Sequence, residues 1–547
     1  MNKKLTGLVA LMLTVILLLA ACGEKTPPEQ PRTDPTGLRT DFEYSAEYLS
    51  APDFDPKISA REAAAYHAAI SKAFPDRPVI SVVRQTYSGD FYPLEDNDAL
   101  NVWLEENGYG FAIMVFTLPE YRRENPQTFG TMLRQYLAAG GKCDVIATGP
   151  NVSLFLGVPG DTVWDYVNRE LIVPLNSIDG ADFSAIEKAY GREFILENTD
   201  NGNVYGFSIS TFQGGKQAAY LAVDNNALSL FEGLSDEEIK NALLHDRDFL
   251  SRLSSLSGSS KALGYHMGIS ACDAIEVLCL NGDYTRMNSL PLYVDRTGTS
   301  PKAAALWETE GFWDALENFR DLEAAGLSGY NASFASCGAF IFKSFPDPEY
   351  ALTRLNLELK SYGRSGEFSV IPLSSPINAV GPECSMFLAA ASEQKDAALS
   401  LILNALTDEA LATCLSCGIE GYSYTLENGL RDDITTHSDV MIYPNNAYIP
   451  EISEGLRNYP EYFKTAQQNA EFFPFDNFNA DLSGHTDQAQ ALIDWYVYYV
   501  DAIQIFDEIS LEVMGYNIDS FLAERSVPDI DELLAAISQQ VAEYDAN

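Results

Sequence analysis

Pro78-Val79-Ile80-Ser81-Val82-Val83 is the stretch on which the fold turns, a β-branched run of the kind that fills a buried strand. Gly110-Phe111-Ala112-Ile113-Met114-Val115-Phe116 is a second such run. Between them, Asp98 to Asn107 carries Leu100, Trp103 and Leu104 at helical spacing, and Gly108 stops the helix. Another helix, predicted over Thr128 to Ala139, leads to a third strand at Cys143-Asp144-Val145-Ile146-Ala147-Thr148. Strands alternating with helices predict an α/β fold with a mostly parallel sheet. Such sheets bind ligands at the carboxyl ends of their strands, so the loops beginning at Tyr87 and Thr148 are the first candidate sites.

Further along, Asp200-Asn201-Gly202-Asn203 holds the Asn-Gly pair of a hairpin turn, and Ala218 to Val223 reads as a strand that crosses between lobes. Ser235-Asp236-Glu237-Glu238 starts a helix that continues through Ile239 to Leu253, and Glu310 to Ala325 is another, ended by Gly326. Strands follow at Ala339 to Phe342 and Phe368 to Leu373. After Pro382 the chain returns through Met386 to Ala391 and a helix at Asp396 to Leu406. Strands returning after a helical excursion predict two discontinuous lobes, 42–222 plus 379–435 and 223–378 plus 436–547.

The N-terminus predicts the compartment. Lys3 and Lys4, an apolar run from Leu5 to Leu19, and Leu19-Ala20-Ala21-Cys22 resemble a bacterial lipoprotein signal peptide (1–21) with its lipobox. The resemblance implies acylation at Cys22; an ordinary membrane anchor does not need the Ala-Ala-Cys ending. Residues 22–41, rich in proline and polar groups, read as an extended tether. The expected location is the extracytoplasmic face of the cell membrane.

The 547 residues carry 35 Lys+Arg against 78 Asp+Glu, a net charge of -43, which opposes direct binding to nucleic acid or to anionic lipid. With 46% hydrophobic residues, the chain has the material for large cores and is not a disordered acidic chain. Eight cysteines are too few for a disulfide scaffold. Cys414 and Cys417 form a lone Cys-x-x-Cys on a predicted helix, where small packing residues are a better explanation than a redox or metal pair. The five histidines show no zinc spacing, and no phosphate-binding loop occurs. Gly206-Phe207-Ser208-Ile209-Ser210 starts like a nucleophile elbow but has Ser210 where the second glycine belongs. No cofactor, metal or catalytic residue is expected.

Several segments then carry a family resemblance over most of the chain beyond Cys22. Ala138-Ala139-Gly140-Gly141-Lys142-Cys143-Asp144-Val145-Ile146, followed by Leu171-Ile172-Val173-Pro174-Leu175, is similar to a region of the extracellular solute-binding proteins of ABC importers, family 1. Gly418-Ile419-Glu420-Gly421-Tyr422-Ser423-Tyr424 resembles the Gly-Ile-Glu-Gly-x-x-Tyr segment of that family's large lipoprotein branch. Trp307 to Leu327, Phe334 to Phe342 and Ile530 to Leu534 fall in the family's order. The resemblance implies a two-lobed, periplasmic-binding-protein-like fold of the maltose-binding-protein type, with hinge-crossing strands. It also implies a monomer that captures a small solute, chiefly a sugar or oligosaccharide, and delivers it to the transmembrane subunits of a permease. Asn241 to Gly264, where many relatives carry a tryptophan-rich segment, holds no tryptophan here.

A sugar site needs flat aromatic faces and a few oriented polar groups. Tyr87, Asp90 and Tyr92 supply both types directly after the first strand. Asn151 follows the third strand, as a hydroxyl partner or as a helix cap, and Glu383 and Ser385 follow the crossover at Pro372 to Pro382. Trp307 serves either as a stacking platform or as the apolar anchor of its helix. Two other readings remain open: an adhesion or sensor lipoprotein with the same fold and no transport role, and a secreted hydrolase.

Overall fold

The computed structural model describes residues 39–49, 54–84, 92–118, 128–148, 161, 163–190, 195, 199–200, 202–210, 217–265, 271–280, 284–287, 291–309, 311–328, 337–344, 348–361, 368–377, 383–434, 448, 475, 478, 480–482, 484–504 and 518–545. For 200, 208–210, 217–218, 271, 343, 357–358, 360–361, 374–377, 383–385, 501, 504 and 545 it describes the backbone alone. The signal segment, Cys22 and the tether up to residue 38 lie outside the described residues.

The strands of the two main sheets are, in chain order, β1 (Val79–Arg84), β2 (Ala112–Thr117), β3 (Val145–Thr148), β4 (Gly206–Ser210), β5 (Gln217–Asp224), β6 (Lys261–Tyr265), β7 (Cys337–Ser344), β8 (Phe368–Ile377) and β9 (Glu383–Leu388). The first sheet has the order β2-β1-β3-β9-β4 and the second β8-β5-β7-β6. β1 runs parallel to β2 and β3, as the alternating pattern predicts. The rest departs from a mostly parallel sheet: β9 is antiparallel to β3 and β4, and β5 is antiparallel to β7 and β8. The reason is topological. The chain leaves the first sheet through β4 and returns to it through the neighbouring β9, so the outgoing and incoming strands must run in opposite directions.

That exchange defines the hinge. Ser210 pairs with Glu383 at the end of the β4/β9 ladder, and Gln217 pairs with Ile377 at the start of the β5/β8 ladder. Only 211–216 and 378–382 separate the two sheets along the chain. β5 belongs wholly to the second sheet, so the first passage between sheets precedes the 222/223 change expected from sequence. A third passage lies between Tyr448, whose carbonyl accepts from Thr413 on the first-lobe side, and Phe475, which packs in a second-lobe core.

Core packing follows from strand alternation. Ile80 and Val82 face one side of the first sheet with Ile113 and Val115, packed under Leu104, Leu401 and Ile402. Val79 and Val83 face the other side with Met114 and Phe116, under Tyr66, Ile70 and Leu133. A strand buried on both faces explains the continuous apolar runs. Helix Leu94–Glu106 begins before the expected Asp98, because its polar first turns have a tertiary role. Asn97 and Asn101, both buried, lie along the outer edge of β2. Asn101 accepts from Ile113 N at 2.6 Å and donates to Ile113 O at 2.8 Å, while Asn97 accepts from Val115 N at 2.9 Å. An edge strand's open hydrogen bonds are thereby closed.

Asp144 has a comparable role at the amino end of β3. Its carboxylate accepts from Ser81 N at 2.8 Å and from Ser392 Oγ at 2.6 Å, joining three chain segments. The expected helix through Ile239 to Leu253 divides at Asp246, whose carboxylate caps a new helix, Arg247–Ser257, by accepting from Phe249 N. In the second lobe, Arg286 is held by Glu276 at 3.0 Å and by the Tyr496 hydroxyl at 2.9 Å, with Tyr293 also donating to Glu276. Burial works against the Arg286 charge, but Glu276 and its neighbours outweigh it and hold the group cationic.

Candidate functional site: the facing edges of two sheets

Strand direction locates the site. β1, β2 and β3 end at Arg84, Thr117 and Thr148, and Ser385 stands opposite Thr148 in the β9/β3 ladder. Ser210 and Glu383 lie on this same edge, so the crossovers leave from the carboxyl ends of the parallel strands. In the second sheet β7 ends at Ser344, opposite Ala218 near the start of β5, and β6 ends beside it at Tyr265. The loops after β1, β3, β6 and β7 therefore leave from the edges that the hinge joins. Carboxyl edges are where sheets of this kind hold ligands.

The sequence candidates distribute unevenly around this edge. Tyr87, Asp90 and Asn151 lie outside the described residues, in segments that follow β1 and β3. Glu383 and Ser385 are at the crossover end of β9, described by backbone only. Tyr92 is at the same edge and is 1% exposed. Trp307 is half-buried in the second lobe, its ring 4.4 Å from that of Trp495 in a T-shaped contact, and it packs against two core clusters. The structure thus groups Tyr92, Glu383 and Ser385 at the first-lobe edge and places Trp307 in packing between second-lobe cores.

Sequence reading missed Arg84 and Thr117. Arg84, 3% exposed, donates from Nε to Thr117 Oγ1 at 2.7 Å and lies 5.5 Å from the centre of the Tyr92 ring. An arginine closing a run of valines was the available signal, since a charge at the end of a buried strand needs fixed partners.

Tyr92 also borders a small crevice lined by Asp96, Ala99, Leu100, Cys414, Gly418, Ile419, Tyr422 and Ser423, with room for about one water. Helix Glu409–Cys417 forms one wall, and the turn that follows it forms another. Gly418 and Gly421 take φ of 78° and 84°, which a side chain would strain. Ser423 N donates to Ile419 O at 2.7 Å, and Ile419 N donates back to Ser423 Oγ at 3.1 Å. The Gly-Ile-Glu-Gly-x-x-Tyr segment is therefore a closed turn beside Tyr92. Burial, then nearby Asp96, push the Tyr92 hydroxyl well above its usual range, so it stays protonated.

Cys414 and Cys417 are buried in the last turn of their helix, and burial pushes the Cys414 thiol up. Arg431 Nη1 approaches Cys417 Sγ at 2.7 Å. None of the six cysteines with described side chains is in a disulfide. Among the described residues, no group of three or more His, Cys, Asp or Glu is arranged to hold a metal. Likewise, no single described helix is long and apolar enough to cross a membrane.

No family model matches the chain, and no curated protein is similar to it in sequence. Solved structures do match in fold. The N-glycan transport solute binding protein NgtS of Streptococcus pneumoniae superimposes with a TM-score of 0.56 at 14% identity, over 86% of this chain and 100% of that one. The same protein in complex with Man5GlcNAc gives 0.51 at 15% identity, over 86% and 98%. Its complex with Man1GlcNAc gives 0.52 at 14%, over 86% and 100%. With its two mixed sheets and paired crossovers, the chain has the two-lobed, maltose-binding-protein-like fold of extracellular solute-binding proteins.

Proposed function

We propose that the protein is an extracytoplasmic solute-binding protein of an ABC importer, lipid-anchored through Cys22, that captures a saccharide between its lobes and delivers it to a membrane permease. The observation that carries this reading is the paired crossover. Two short stretches of chain, 211–216 leading out and 378–382 leading back, link the paired strand ends of two separately packed sheets, which is the construction of a hinge. A small molecule enclosed there is bound without any chemical step, as capture and release require. Similarity of fold to a protein crystallised with Man5GlcNAc supports the saccharide class. In this reading Tyr87, Asp90, Tyr92, Asn151, Glu383 and Ser385 line the first-lobe wall, and Trp307 belongs to the second-lobe side. Residues 42–222 with 379–435 and 223–378 with 436–547 approximate the two moving lobes.

The test is thermal unfolding and calorimetry of the purified protein with Man5GlcNAc, Man1GlcNAc, maltotriose, peptides and free amino acids. A ligand at about 100 times its Kd stabilises the native state by roughly 2.7 kcal/mol. A saccharide that raises the midpoint and is recovered unchanged supports the reading. Turnover of the saccharide points instead to a hydrolase, and silence across the panel points to an adhesion or sensor role.

A further inference from the structure

The ladder between β8 and β5 is regular from Phe368, opposite Asp224, to Leu373, opposite Ala219. There it slips. The next residue of β5, Ala218, stands opposite Pro376, so Ser374 and Ser375 have no partner in the ladder. β5 itself is unbroken at this point, because on its other side Ala219 and Ala218 meet Lys343 and Ser344 of β7 in register. The irregularity is a two-residue bulge confined to β8, the edge strand of the second sheet, which can bend without disturbing a further neighbour.

The bulge lies on the edge that the hinge joins. β8 and β7 are both antiparallel to β5, and both reach their carboxyl ends beside Ala218. One pair beyond the bulge β8 ends at Ile377, and the crossover that follows leads to Glu383 and Ser385 on β9. The sequence specifies the irregularity locally. Pro372 and Pro376 bracket Leu373-Ser374-Ser375, and proline within a sheet is confined to edges and bulges. Pro376 also restricts Ser375 to extended backbone. Leu373, 1% exposed, roots the strand in a second-lobe core just before the bulge, while Pro372 is exposed, so solvent reaches this part of the edge.

Bulges gather next to binding and active sites, where they re-aim the chain. From the position of this one we propose that Ser374 and Ser375 are a polar contact of the second lobe for the saccharide, their hydroxyls bonding hydroxyl groups of the ligand. The proposal rests on the saccharide-binding reading above and adds to it residues on the second-lobe side of the same crossover that carries Glu383 and Ser385. A serine hydroxyl donates and accepts, as a sugar hydroxyl does, so the two match in either direction. The bracketing prolines hold the backbone in place before ligand arrives, which lowers the ordering cost of binding.

The test is the double variant Ser374→Ala with Ser375→Ala in the full-length protein, which keeps the bulge and removes only the two hydroxyls. Ser369→Ala is the control on the same strand, since Ser369 lies within the regular ladder opposite Val223, at the far end from the hinge. Calorimetry with Man5GlcNAc, Man1GlcNAc and maltotriose is paired with thermal unfolding in their absence. The expected result is an affinity lower by about tenfold in the double variant for the saccharides the wild type binds, with the ligand-free midpoint unchanged and the control at wild-type affinity. Wild-type affinity in the double variant overturns the proposal, whatever its midpoint, and leaves the saccharide-binding reading intact. An equal loss in the control also overturns it, since the effect then belongs to the strand as a whole. If the wild type binds none of the probes, both the reading and the proposal fall.

Discussion

Arg84 and Thr117 are joined across the carboxyl ends of two neighbouring parallel strands by a 2.7 Å hydrogen bond from the guanidinium Nε to the threonine hydroxyl, and both residues are buried. Thr117→Val keeps the shape and deletes the acceptor, leaving that donor without its partner. The expected loss is about 1–3 kcal/mol in urea unfolding. An unchanged midpoint would show that the bond contributes nothing to holding this edge.

Asn101 closes both hydrogen bonds of Ile113 on the open side of β2. In Asn101→Ala the carbonyl retains Asn97 as a donor, but Ile113 N is left without an acceptor. Stability should fall by about 1–3 kcal/mol, and amide exchange at Ile113 should accelerate more than at Ile80 in the sheet centre.

His67 provides a pH test with a defined sign. Burial, then the nearby Lys142 charge, lower its pKa from 6.5 in the folded state. The unfolded chain therefore binds more protons just below pH 6.5, and stability rises with pH through that window and levels off above it. His67→Gln should flatten this part of the curve. A profile of unchanged slope would remove His67 as its source.

Burial pushes up the thiols of Cys143, Cys272 and Cys414, and Cys279 to about 12. Thiolate is the reactive form, so these positions should resist iodoacetamide at pH 8 in the native state and react once urea unfolds the protein. Peptide mapping distinguishes the sites. Rapid native labelling at Cys414 would contradict a packing role for the Cys-x-x-Cys pair.

Trp307 permits its two roles to be separated. Its edge-on contact with Trp495 and its position between two core clusters predict a loss of about 3 kcal/mol for Trp307→Ala. Saccharide affinity measured well below the unfolding temperature shows whether the ring also serves as a platform. A variant of normal stability and weak binding would assign Trp307 to the ligand alone.

How much could be read in advance varied with the kind of signal. The helix at Thr128 was legible because its cap and apolar spacing are local, and the structure has Phe129–Ala138 with Thr128 accepting from Thr131 N. The Asn-Gly hairpin at 199–204 was legible for the same reason. The start of helix Leu94–Glu106 was not, because Asn97, Asp98 and Asn101 look like surface residues until β2 is placed beside them. Arg84 escaped notice for a related reason: one charge after a valine run acquires meaning only from its contacts with Thr117, on a neighbouring strand, and with the Tyr92 ring.

By itself, the sequence determined the elements and their succession, since apolar periodicity, caps and turn residues act over a few neighbouring positions. It also carried the pattern of strands that return after a helical excursion, and hence the expectation of two lobes. Only the tertiary structure decided that the sheets are mixed, that β5 lies wholly in the second, and that Tyr92 meets the Gly418–Ser423 turn across a water-sized crevice. These are relations between segments separated by up to several hundred residues, set by strand pairing and shared burial, which no local pattern encodes.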